Sequence, residues 1–295
     1  MNFPPSAIFR GTALAWLLMA PQLIIVLVFF FWPAGQALWQ SALMQDAFGT
    51  SVQFVGLENF QRLFADDAYV NAFRVTAVFS ALVAGLGLAI GLLLAAMADR
   101  VMRAQPYYRT LLILPYAVAP AVAGVLWLFL FAPVAGIVPR ALAQMGYSWN
   151  HLLDSGDGMA LIVFASVWKQ IPYNFLFFVA GLQSIPRSLI EAAAIDGAGP
   201  WHRFRTIIFP LLSPTSFFLL VVNIVYAFFD TFAIVDATTQ GGPGKDTAIL
   251  VYKVYHDGFK AMDLGGSAAQ SVILMLVVIV LTTIQFRYLE RRVHY

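Results

Sequence analysis

Long apolar runs alternate with short polar stretches along the whole chain. Six runs are long enough to cross a hydrocarbon core of ~30 Å at a helical rise of ~1.5 Å per residue. They are Ala13–Trp32, Asn71–Ala98, Tyr107–Phe131, Gly158–Gln183, Ser213–Val235 and Ser267–Tyr288. The pattern predicts an all-α integral membrane protein of six transmembrane helices, one membrane domain over residues 1–295. The first run has 20 residues, more than the ~7–15 of a signal-peptide core. Pro33-Ala-Gly-Gln is no cleavage site of the A-x-A kind, so this span is expected to be retained. Gly87 and Gly91 form a small-residue pattern of the kind that lets helices approach closely. Pro115 and Pro120 in the third run free backbone groups, which a bilayer tolerates only beside other protein or a wet cavity.

Composition excludes the soluble alternatives. The chain is 61% hydrophobic and 11% charged, against roughly 25% charged in a soluble domain. The formal charge of +2 gives no reason to invoke nucleic acid, and the absence of cysteine removes disulfides and thiolate sites. Charge also orients the chain. Six spans put both termini on one side. The stretches on that side carry ten Lys/Arg: Arg10, Arg100, Arg103, Arg109, Arg187, Arg203, Arg205, Arg287, Arg291 and Arg292. The other three loops carry five over a greater length: Arg62, Arg140, Lys245, Lys253 and Lys260. The denser side is cytoplasmic by the positive-inside rule, so both termini and residues 184–210 are expected there. Arg74, at the outer start of the second run, reads as an interfacial snorkeller, and Tyr147 and Trp149 suit an interface.

The cytoplasmic stretch from Glu191 to Pro210 has its own organisation. Glu191, Ala192 and Ala193 open a short helix. Asp196-Gly197 marks a sharp bend, with glycine free to take φ > 0. Pro200 suits the first turn of a second helix carrying His202, Arg203 and Arg205. Glu191, Ala192, Ala193, Gly197 six residues after the glutamate, Ile207 and Pro210 resemble the EAA loop of bacterial ABC-importer permeases; Phe209 stands where that family often has leucine. Phe54–Phe60 resembles a stretch that follows the first span in the same family. The resemblance implies that residues 184–210 are a coupling helix docking on a cytoplasmic ATPase, with Glu191 facing an arginine there. It also implies a second, homologous permease, an ATPase dimer that binds ATP and Mg, and a periplasmic substrate-binding protein.

No enzyme site is apparent. Gly241-Gly-Pro-Gly-Lys245 lacks P-loop spacing, so no ATP is expected on this chain, and no cofactor. His151, His202, His256 and His294 show no metal-ligand spacing. The polar groups inside spans are the site candidates, because they are costly there. Lys169 and Tyr173 lie at i, i+4, as do Gln170 and Asn174, and the two stripes are ~100° apart in one sector. Asn223, Tyr226 and Asp230 share one face of the fifth run. Pro172 is expected to open the fourth helix locally. These two faces either line a common path or hold a structural Lys169–Asp230 pair.

Within the sugar-permease family the runs Leu114–Leu128, Phe164–Val179, Gln183–Trp201, Phe217–Ala233 and Ser267–Val272 are similar to permeases of sn-glycerol 3-phosphate importers. The resemblance implies import of that substrate, and of its diesters, across the bacterial inner membrane. Lys169 suits an anionic phosphate; Asp230 suits one less well unless it faces hydroxyls. The alternatives are an ABC permease for a neutral sugar and, from a different class, an ion-coupled secondary transporter using Lys169 and Asp230.

Overall fold

The computed structural model describes residues 12–46, 50–100 and 105–290. Arg10, Arg103, Arg291, Arg292 and His294 lie outside them. Four helices are long and apolar enough to cross a membrane: Leu14–Ser41, Asp67–Ala98, Ser155–Gln183 and Leu264–Ile284. Two bent pairs bring the number to six if each counts as one span: Thr110–Ala117 with Pro120–Leu130, at 105°, and Pro200–Leu211 with Ser213–Phe229, at 67°. They are called spans one to six in chain order.

The third run is therefore two helices rather than one. Ala119 is extended, with ψ 141°, and Pro120 opens the second limb. A residue before proline is pushed out of the helical region, and Pro120 has no N–H to carry the helix across. Span four, by contrast, runs unbroken through Pro172, so the expected local opening does not occur. The fifth run also stops short of Val235. Its helix Ser213–Phe229 ends at Asp230, and a separate helix, Phe232–Thr238, follows. Spans one and two extend beyond their apolar runs, to Ser41 and back to Asp67.

The polar loops hold their own elements. Strands Leu43–Gln45 and Val52–Phe54 pair antiparallel, Leu43 opposite Phe54. Short helices occupy Glu58–Ala65, Ile137–Gln144 and Leu250–Tyr255. Trp149 is buried, with its ring tilted against Phe131 at 4.7 Å, and donates from Nε1 to the Phe131 carbonyl at 3.1 Å. Burial holds the neighbouring His151 imidazole below its ordinary value, which keeps the ring neutral at pH 7.

Span four is the central element. It packs on span two, on both limbs of span three and on span five. Within the most apolar stretch of each helix, 67% of span four is buried and none of span one. Span one meets the rest of the chain through Trp32–Ser41, which lies on span six. The contact between spans two and four is closest at the glycines. A Cβ on Gly91 would sit 2.6 Å from the Asn174 Cβ, and one on Gly87 would sit 3.0 Å from Asn174 Nδ2. Beyond the end of span five, Lys253 bridges Asp66 at 3.3 Å and Asp257 at 2.7 Å, and Gln270 donates to Asp257 at 2.7 Å. That cluster ties the loop after span five to the start of span two and to span six.

Candidate functional site

Two places gather the polar residues singled out in the sequence. The first is a cavity of about 580 Å³ between spans three, four and five. Lys169, Gln170 and Tyr173 from span four, Tyr226 and Asp230 from span five, and Tyr116 and Pro120 from the break in span three line it, with Val221, Val222 and Val225. Helical spacing accounts for the convergence: residues 169, 170 and 173 share one sector of span four, and residues 222, 226 and 230 share one of span five. Lys169 is buried and Asp230 exposed at the cavity rim. No ion pair within 4 Å joins them among the described residues. Lys169 instead donates to the Tyr116 carbonyl at 3.3 Å, with its ammonium 5.4 Å from the centre of the Tyr116 ring. That ring stacks on Tyr173 at 6.3 Å. The Tyr226 hydroxyl donates to the Ser166 carbonyl at 3.3 Å.

Asn174 and Asn223 do not line this cavity. Both are fully buried, and their side-chain amides pair reciprocally: Asn174 Nδ2 donates to Asn223 Oδ1 at 3.0 Å and Asn223 Nδ2 to Asn174 Oδ1 at 2.7 Å. Asn223 Nδ2 also donates to the Leu219 carbonyl. The pair joins spans four and five under Gly87 of span two. Tyr116 is the cavity residue that polarity alone did not find. It sits in an apolar run, and the signal was its place between Pro115 and Pro120.

The second place is the exposed bend after span four. Helix Arg187–Ile195 follows Pro186 and carries Glu191, Ala192 and Ala193. It ends at Asp196, and Gly197 follows with φ +82°. The Ala198 N–H donates to the Ala193 carbonyl at 2.9 Å and the Gly197 N–H to the Ala194 carbonyl at 3.1 Å. Those two bonds make a Schellman closure, which needs a left-handed residue at the position of Gly197. Gly199 is extended, and Pro200 starts the next helix. Near its end the Phe209 N–H reaches back to the Phe204 carbonyl in a π-turn over Phe204–Ile208. Pro210 lacks the N–H that would otherwise bond Thr206, which explains the widened turn. Glu191, Asp196, Gly197 and Pro210 are exposed, and Ile195 and Trp201 project 86% and 72% of their surface. A concavity of about 500 Å³, lined by Ala193, Asp196, Gly197, His202 and Ile207 among others, lies between the two helices. Trp201 and Ile195 are large apolar groups that the chain itself leaves uncovered, a signal the charged residues around them had obscured.

Among the described residues no group of three or more His, Asp or Glu could hold a metal ion. Residues 84–295 match the family described as binding-protein-dependent transport system inner membrane component. The chain is 63% identical to the sn-glycerol-3-phosphate transport system permease protein UgpA of Yersinia pseudotuberculosis, over 97% of this chain and 98% of that one. It is 60% identical to the protein of the same name from Pectobacterium atrosepticum, over 98% of each. A chain of a solved bacterial ABC transporter that imports the acidic polysaccharide alginate superposes with a TM-score of 0.80 at 22% identity, over 95% of this chain and 96% of that one. A second structure of the alginate transporter, in complex with an alginate-pentasaccharide-bound periplasmic protein, gives 0.78 at 22% identity, over 92% of each. At that identity the likeness is one of fold.

Proposed function

The chain belongs to the family of binding-protein-dependent transport system inner membrane components, and on that premise we propose that it is a permease subunit of an ATP-driven importer for sn-glycerol 3-phosphate. It is a non-catalytic inner-membrane subunit. The observation that carries the substrate is the near-full-length identity of 63% to a relative of that name. The cavity supports it: a buried lysine supplies the cation that a phosphate needs, and tyrosines, Gln170 and Asp230 offer partners for glycerol hydroxyls.

In the proposed cycle a loaded periplasmic protein delivers substrate to the outer loops, including residues 34–70 and 236–266. A second, homologous permease completes the translocation path. The bend at 184–210 lies on the cytoplasmic side with both termini and docks on one subunit of an ATPase dimer, where ATP and Mg are bound. Its shape supports that role, since a rigid exposed knob bearing Glu191, Ile195 and Trp201 is suited to a groove. ATPase closure then moves the knob, and spans four and five, which flank it in sequence, carry the motion to the cavity. Asp230 at the rim favours one second reading, a neutral hydroxyl-rich ligand in place of the phosphate.

The test is uptake of labelled glycerol 3-phosphate in cells that lack this chain and keep its partners. Wild type restores uptake, and Lys169→Ala at equal membrane level loses most of it. Uptake restored equally by both removes Lys169 from the site. Uptake restored by neither, with a neutral sugar taken up instead, favours the second reading.

A further inference from the structure

Tyr116 reaches the cavity through a defect in the backbone. In an unbroken helix its carbonyl would accept the N–H of residue 120. That residue is Pro120, which has none. The helix stops at Ala117 and the chain turns by 105° into Pro120–Leu130. A carbonyl left free inside a membrane needs a donor, and Lys169 supplies it at 3.3 Å. The same ammonium lies 5.4 Å from the centre of the Tyr116 ring, and Tyr173 stacks on that ring at 6.3 Å. One residue thus offers Lys169 two attractive partners, a carbonyl dipole and a π face, while the Asp230 carboxylate across the same cavity stays beyond ion-pair distance.

We propose that Tyr116 is a positioning residue that holds the Lys169 ammonium, un-neutralised, as the anion subsite of the cavity. A carboxylate partner would cancel the charge the substrate has to meet. A carbonyl and an aromatic ring fix the ammonium while leaving its charge available. This rests on the reading of the cavity as the path of an anionic substrate. It adds the group that sets the discrimination, on a span that contributed no candidate before.

The test has two arms. The chain has four lysines, Lys169, Lys245, Lys253 and Lys260, so the NMR signals of ε-13C-lysine in the assembled importer can be assigned with Lys169→Met. Tyr116→Leu moves the Lys169 signal by removing the ring above it, and Tyr116→Phe leaves it in place. The second arm measures glycerol 3-phosphate moved per ATP hydrolysed in proteoliposomes, a ratio that does not depend on the amount of folded protein. Tyr116→Leu lowers the ratio about fivefold, the order of one cation–π contact, and Tyr116→Phe keeps it. In a Lys169→Met background Tyr116→Leu adds no further loss, because the two act as one unit. An unmoved Lys169 signal overturns the proposal. So does an unchanged ratio in Tyr116→Leu, a loss in Tyr116→Phe equal to that in Tyr116→Leu, or a double variant in which both losses multiply. A wild type that moves no glycerol 3-phosphate overturns the substrate reading instead, and the lysine signal still decides the positioning.

Discussion

The buried polar residues of span four divide into two kinds, and substitution separates them. Asn174 is fully buried and satisfied by Asn223. Replacing it with leucine strands the Asn223 amide, which costs ~1–3 kcal/mol in a protein interior; measured couplings between membrane helices are smaller, ~0.6 kcal/mol on average. Asn174→Leu is therefore expected to lower the thermal midpoint of the purified protein by several degrees. Lys169→Ala, whose side chain lines a cavity and gives one 3.3 Å bond to the Tyr116 carbonyl, is expected to lower the midpoint less than Asn174→Leu while uptake falls. The reverse ranking in a thermal-shift assay would exchange the two roles. Periodicity in the sequence put Lys169, Gln170, Tyr173 and Asn174 on one broad face, and that much was legible. It did not separate Asn174, which meets Asn223, from the three that line the cavity, since the partner lies 49 residues away. Tyr116 was hidden for the opposite reason: a tyrosine in an apolar run carries no signal until the neighbouring backbone is known to break.

At the scale of elements, glycine governs two junctions in different ways. At Gly91 the demand is space. A Cβ there would meet the Asn174 Cβ and backbone within 2.6 to 3.3 Å, so Gly91→Ala is expected to push spans two and four apart and reduce the yield of folded protein. Gly87→Ala meets only amide atoms at 3.0 and 3.3 Å and is expected to cost less; equal yields on size-exclusion chromatography would refute the ranking. At Gly197 the demand is stereochemical. Nothing lies within 4 Å of its added Cβ, yet φ is +82°. Gly197→Val is expected to strain the bend and separate ATP hydrolysis from uptake, whereas Gly197→Asn, which tolerates the left-handed region, keeps much of the coupling. The bend was legible because its cause is local. The break in span three was not. Of the three mid-helix prolines in spans three and four, Pro115 and Pro172 lie inside continuous helices and Pro120 begins a new one. Span four is enclosed by its neighbours and stays continuous across Pro172; packing of that kind is absent from a linear pattern.

For the whole molecule, the cluster around Lys253 joins parts of the chain far apart in sequence. Burial pushes the Asp257 carboxyl up. Hydrogen bonds from Lys253 and Gln270, and the charge of Lys253, outweigh that and hold it below its ordinary value of 3.8. Burial pushes Lys253 down, and Asp257 and Asp66 raise it above 10.5 on balance. A lowered carboxylate stabilises above its unfolded value and loses that contribution as pH falls through the folded one; a raised lysine does so below its unfolded value and loses it as pH rises through the folded one. The cluster therefore holds from above 3.8 to 10.5. Wild type is expected to melt above Lys253→Met throughout that window, with the difference closing in stronger acid. The exposed bend stands apart from all of this. No residue of Arg187–Ile195, Pro200–Arg203 or Phe204–Ile208 is buried, and the angle between them is set by one left-handed glycine. A form written so locally is portable: it keeps its outline whatever cargo chamber is built behind it. If the bend is the fitting to a motor, as proposed, a lineage is free to rework the cavity for new solutes while leaving that fitting untouched.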